Sequence, residues 1–139
     1  MRRPGLLLGA ALGVGAGLAA LVPLLALLAR SWPHRIAVAG HSMEPELRAG
    51  DWLLVDPDAF TARPPAPGEL CVAHDPRAPQ RLLVKRAGVV TGASVMLTSD
   101  HPAHAAAQEI IGPVASASIV GRPWLRYWPL DRVGRLERL

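Results

Sequence analysis

Two residues far apart in the chain carry side chains that can work as a pair, Ser42 and Lys85. Ser42 stands in Gly40-His41-Ser42-Met43-Glu44-Pro45, just after the alternating run Arg35-Ile36-Ala37-Val38-Ala39. That places a hydroxyl at a strand end, on a turn that the following proline keeps from continuing as helix. Lys85 is the only lysine of the chain; the other 14 basic residues are arginine. It lies inside the apolar run Leu82-Leu83-Val84-Lys85-Arg86-Ala87-Gly88-Val89-Val90. A lysine that has lost its proton is a base for a serine nucleophile, and apolar surroundings favour that loss. Arginine holds its proton too tightly to serve. On a strand, Leu83 and Ala87 share the face of Lys85, while Arg86 alternates to the other face. The positive charge of Arg86 would push the neighbouring amine further down.

These two side chains need a rigid frame, and the pattern of the chain supplies one. Short strand-like runs separated by Gly/Pro turns point to a mainly β domain. The runs are Arg35 to Ala39, Trp52 to Val55, Glu69 to Ala73, Arg81 to Val90, Ser94 to Thr98, and Ile119 to Trp128, the last expected to be interrupted by Pro123. Thr91-Gly92 suits a two-residue hairpin between the fourth and fifth runs. Asp56 to Gly68 holds four prolines and reads as an exposed, partly mobile loop; His74 to Gln80 and Ser99 to Gln108 read as polar turn and loop. The tail from Pro129 to Leu139 spaces Leu130, Val133 and Leu136 three apart with arginines between, as a short surface helix or a frayed terminus would.

Ahead of this domain runs a different kind of sequence. Leu6 to Ala29 contains 24 residues without a charge, roughly 36 Å of helix, enough to cross a ~30 Å hydrocarbon core. It exceeds the apolar core of a cleavable signal peptide, and the small-residue run Ala37-Val38-Ala39 lies well beyond its end. A retained transmembrane helix is therefore expected, with Trp32 at the headgroup level and Pro33 ending the helix. The spacings Gly9-x-x-x-Gly13 and Gly13-x-x-x-Gly17 are those of helix pairing, but also those of an Ala-rich span. Charge barely orients the span, since Arg2 and Arg3 precede it and Arg30 and Arg35 follow it. The expected division is residues 1–31 as anchor, 32–128 as catalytic domain and 129–139 as tail.

Composition excludes other classes. The net charge of +4 comes from scattered arginines without interleaved aromatics, which argues against nucleic-acid binding. One cysteine, Cys71, excludes an intrachain disulfide, and its apolar setting reads as a buried small hydrophobe. His74-Asp75 and Asp100-His101-x-x-His104 are spaced too loosely for a metal centre, and no metal or cofactor is expected.

The quoted stretches resemble the type I signal peptidase family. Ser42-Met43-Glu44-Pro45 is similar to its nucleophile box, in which Ser-Met-x-Pro carries the attacking serine. Gly50-Asp51-Trp52-Leu53-Leu54-Val55 resembles the Gly-Asp strand box, and Lys85-Arg86 the box with the general-base lysine. Ser99-Asp100-His101-Pro102, with Gly112-Pro113-Val114 and Val120-Gly121-Arg122, resembles the C-terminal box. The resemblance implies a membrane-bound serine endopeptidase on an antiparallel β fold, with its catalytic domain outside the cytoplasm and exported preproteins as substrates. Ser42 and Lys85 would be catalytic, with Gly40, Met43, Pro45, Gly50, Asp51, Arg86, Ser99 and Asp100 in support. The partners implied are a preprotein or propeptide and membrane lipid. The chain departs from the pattern where relatives carry a second serine that orients the lysine; Ala105 stands near that place, and either Ser99 or a water substitutes or activity is reduced. That departure keeps two other readings open: a maturase dedicated to one propeptide, such as that of a nickel superoxide dismutase, and an inactive membrane-tethered binding module.

Overall fold

The structure is a computed structural model that describes residues 34–105 and 113–137, together with Leu21, Pro23 and Leu25, which are helical. The expected span from Leu6 to Ala29 and its exit at Trp32 and Pro33 lie otherwise outside the described residues, as do residues 106–112 of the C-terminal box. Among the described residues no helix is long and apolar enough to cross a membrane.

The domain is an antiparallel sheet. Its strands are β1 (His34–Ala37), β2 (Trp52–Asp56), β3 (Leu70–Asp75), β4 (Ala78–Thr91), β5 (Ser94–Thr98), β6 (Val114–Ala115), β7 (Ile119–Trp128) and β8 (Gly134–Arg135). They lie in the order β1-β2-β7-β3-β4-β5-β6, with β8 on β7. Among the described residues from His34 onward, helix is confined to one turn, α1 (Pro102–Ala105), and two 3-10 turns, Ser116–Ser118 and Leu130–Arg132. β3 sits in the middle, so Leu70, Cys71, Val72 and Ala73 are all buried and show no polar alternation. One face of the sheet packs Val38, Met43, Leu47, Leu53, Leu70 and Leu136. A second cluster gathers Cys71, Ala73, Ala87, Val95, Leu97 and Val114. Two apolar layers over one sheet explain how so short a domain closes around a buried charge.

β7 divides its pairing. Ile119 and Gly121 register with β3, while Arg122 to Trp128 register with β2. Pro123 sits inside this strand without ending it, at a point where the pairing with β2 shifts register between Leu54 and Val55, an irregularity of the kind that accommodates proline. The expected interruption is therefore absent. Gly121 is required by space: a Cβ would strike the backbone carbonyl of Asp56 and come within 2.9 Å of Pro57 Cα.

Four further expectations change. β4 starts at Ala78, so the turn before it is shorter than His74 to Gln80, and the following hairpin turns on Gly92-Ala93, with Gly92 at φ +59°. The Pro-rich loop is held down: Pro65 is buried, Phe60 packs on the second cluster, and Arg63 grips Glu69 with bonds of 2.7 and 2.8 Å. The tail is neither a surface helix nor frayed through residue 137. Its 3-10 turn and β8 fold back on β7, and Leu136 enters the core, because its three-residue spacing suits a turn followed by a strand as well as it suits a helix.

Candidate active site

The nucleophile turn is built from its apolar residues. Met43 and Leu47 are 2% and 0% exposed and are joined by a hydrogen bond from the Leu47 amide to the Met43 carbonyl, 2.9 Å. This single helical turn, 41–47, is not continued, in keeping with Pro45 inside it. Burial of Met43 fixes the residue before it, leaving Ser42 half-buried at the edge of the core. His41 points away to Glu44, 2.7 Å, on the exposed side of the turn.

The turn is braced from behind by the Gly-Asp pair. Gly50 adopts φ +92°, a conformation glycine takes without strain, and its amide bonds the Val38 carbonyl at 2.8 Å. The Asp51 carbonyl accepts from the Val38 amide, 2.8 Å. The Asp51 carboxylate, 1% exposed, accepts from the Arg48 amide at 2.9 Å and from Arg132 at 2.8 Å, with Arg126 at 3.5 Å. Asp51 thus ties the nucleophile turn to the folded-back tail. Gly40 has open space where a Cβ would stand, so nothing in the fold demands glycine there.

Lys85 projects from β4 on the face shared by Leu83 and Ala87, with Cys71 directly across on β3. It is 7% exposed. Its Nζ lies 2.8 Å from Ser42 Oγ and 2.8 Å from Ser99 Oγ. Burial holds the amine below its ordinary value, and the charges of Arg81 and Arg77 push the same way, with Asp100 opposing. Arg86 is not among those causes: its own charge is met by Asp100. Burial pushes the Cys71 thiol up to about 12, so it is an inert wall beside the amine.

The next residue along each segment repeats the pattern on the other side. Arg86 Nε donates to Asp100 Oδ1 at 2.7 Å, and its Nη1 to the Gly68 carbonyl at 2.9 Å. The His101 amide then donates to the Ser42 carbonyl, 3.0 Å. Three consecutive residues, Ser99-Asp100-His101, therefore touch Lys85, Arg86 and Ser42 in turn. The structure brings together Ser42, Lys85, Ser99, Arg86 and Asp100 of the expected set. Met43, Gly50 and Asp51 stand behind them, and Gly40 and Pro45 belong to the turn without a contact that singles them out.

Sequence reasoning passed over Glu69, whose carboxylate takes Arg63, the Ala66 amide and, at 3.9 Å, Arg122. Hydrogen bonding from Arg63 holds its carboxyl down at about 2. No local signal marks it, since its partners lie in a loop and on another strand. Arg126 and Arg132, the partners of Asp51, were equally hidden among 14 arginines.

What the cluster can do is deprotonate a hydroxyl. A neutral amine can accept the Ser42 proton across 2.8 Å, and the ammonium that forms then lies between the Ser42 oxygen and the Ser99 hydroxyl. The family model described as "Signal peptidase, peptidase S26" matches residues 12–103. No curated protein and no solved structure matches the chain.

Proposed function

Since the chain belongs to the signal peptidase, peptidase S26, family, we propose that it is a membrane-anchored serine endopeptidase that removes signal peptides from exported preproteins through Ser42 and Lys85. The observation that carries this reading is the buried amine of Lys85 at 2.8 Å from the Ser42 hydroxyl. Lys85 Nζ takes the proton as Ser42 Oγ bonds to the scissile carbonyl carbon, with the Ser42 amide supporting the oxyanion. The ammonium returns that proton to the leaving nitrogen as the C–N bond breaks. Water then enters, giving its proton to Lys85 and its oxygen to the acyl carbon, and Ser42 is regenerated.

The peptide has a place to lie. β5 pairs with β4 only from Arg86 onward, so among the described residues no strand covers that edge of β4 ahead of Lys85. An extended peptide added there runs past the amine. The anchor reading rests on the uncharged run Leu6 to Ala29. It is supported by exposed Trp52, Trp128, Leu130 and Val133, where two of the tryptophans are register partners on β2 and β7, a composition suited to a headgroup layer. The catalytic domain then stands on the extracytoplasmic side.

The test is cleavage of a preprotein with an Ala-x-Ala site by the full chain in lipid or detergent. Wild type is expected to cut, and Ser42→Ala and Lys85→Arg to be inactive while folded. Activity surviving in Lys85→Arg would sink the mechanism. Tight binding of the preprotein without turnover by wild type would replace the protease with a binding module.

A further inference from the structure

β4 carries a second basic side chain four residues before Lys85, one residue past the end of its regular pairing with β3 at Leu82. Leu83 and Arg81 follow at two-residue steps, so Arg81 stands four residues, roughly 13 Å, along the strand from the base. Leu83 is buried and Arg81 is exposed. Nearby, at the turn before β4, Asp75 is 1% exposed and both its oxygens are engaged by Arg77, at 2.9 and 3.1 Å on Oδ1 and 3.2 Å on Oδ2. Arg77 thus takes the hydrogen bonds of the local acid, and Arg81, whose charge also acts on Asp75, has no hydrogen bond or ion pair of its own among the described residues. The edge of β4 at this point is the same uncovered edge that leads to Lys85.

On the reading that an extended peptide pairs with that edge, we infer that Arg81 is a specificity-determining residue that selects an acidic side chain on the substrate, four residues from the one facing Lys85. Strand alternation, regular in the pairing with β3 from Arg86 to Leu82, supports it when continued one residue to Arg81. Residues directly opposite each other in an antiparallel pair share a face, and substrate residues two and four positions away from the reacting one therefore face Leu83 and Arg81. The first meets an apolar surface and the second a guanidinium that no hydrogen bond within the described residues holds. A carboxylate there forms an exposed ion pair, which at low salt corresponds to a preference of about 2- to 5-fold in kcat/KM. It also carries a signature that simple affinity lacks. Arg81 is one of the charges that repel a proton from Lys85. A substrate carboxylate offsets that charge, so the acid limb of kcat moves to higher pH for the acidic substrate.

The experiment compares peptides with an Ala-x-Ala site in which Glu or Gln is scanned through positions three to six on each side of the cut, using the full chain in a neutral detergent at low salt. Glu is expected to be favoured at one position, with the alkaline shift of the acid limb at that position. The Glu/Gln ratio is expected to fall to one in Arg81→Gln, and Arg81→Glu to favour Lys there instead. Equal ratios at every position, or a ratio that persists in Arg81→Gln, overturns the inference while leaving the protease reading intact. Failure of wild type to cut any peptide overturns the protease reading, and this inference with it.

Discussion

Replacing Ser99 by alanine removes a hydroxyl that lies 2.8 Å from Lys85 Nζ and leaves the rest of the strand end unchanged. Ser99 touches the lysine, not the peptide, so it is a positioning residue. With the amine neutral, its hydrogen bond to Ser99 contributes about 0.5–1.5 kcal/mol; once the amine has taken the Ser42 proton, the bond is charge-assisted and contributes about 1.5–3 kcal/mol. The difference, about 1–2 kcal/mol, is the part felt in the transition state, and it corresponds to a roughly 5- to 30-fold fall in kcat with KM nearly constant. The pH profile gives a second reading. A hydroxyl oxygen that accepts from the amine favours its protonated form, and its loss lets burial and the nearby arginines push Lys85 further down. The acid limb of kcat is therefore expected to move to lower pH even as the maximum falls. Ser99→Thr keeps the oxygen and is expected to restore both. Steady-state cleavage of an Ala-x-Ala peptide across pH measures the two effects together. An unchanged kcat and an unmoved acid limb in a folded Ser99→Ala would refute the argument that Ser99 holds the base.

Two predictions concern stability. Lys85→Met is expected to be inactive yet at least as resistant to urea as wild type at neutral pH, because it removes a buried amine whose pKa lies below its ordinary value. The unfolded chain then binds more protons than the native one, so wild-type stability rises with pH up to about 10.5 and the advantage of Met shrinks as the solution becomes alkaline. Glu69→Gln breaks the grip on Arg63. The native carboxyl lies at about 2 against an ordinary 4.5, so its contribution is whole above pH 4.5 and is lost as pH falls toward 2. With Arg63 half exposed, the expected loss at neutral pH is about 1–2 kcal/mol, read from urea midpoints, and the two proteins converge in acid.

Much of this site was legible because the residues it brings together are of unusual type. A lone lysine in an apolar strand and a serine framed by glycine and proline stand out without any alignment. The strands β2, β4 and β5 were legible too, since the apolar runs of the sequence mark them and burial alternates along much of each. What stayed hidden depends on contacts distant in sequence. Nothing near Asp51 says that an arginine 81 residues later closes on it, and nothing near Leu136 says that it reaches the core cluster of Met43. Pro123 misled because proline normally ends a central strand, and only the shifted register with β2 accommodates it. Whether Ser99, a water or neither stands beside Lys85 was open in the sequence; the structure puts Ser99 Oγ 2.8 Å from the amine.

The alternation of Ser99 and Asp100 against Lys85 and Arg86 makes the alignment of one strand end a chemical selector. Side chains in extended chain change sides at every residue. Deleting one residue from β5 would present Asp100 where Ser99 now stands, setting a carboxylate against the amine. The two would then settle as an ion pair, and a lysine locked as ammonium has no lone pair with which to take a proton from Ser42. A hydroxyl beside the amine leaves it free to cycle; a carboxylate would arrest it. The ladder between Arg86 and Thr98 therefore decides not only where the base sits but whether it is one.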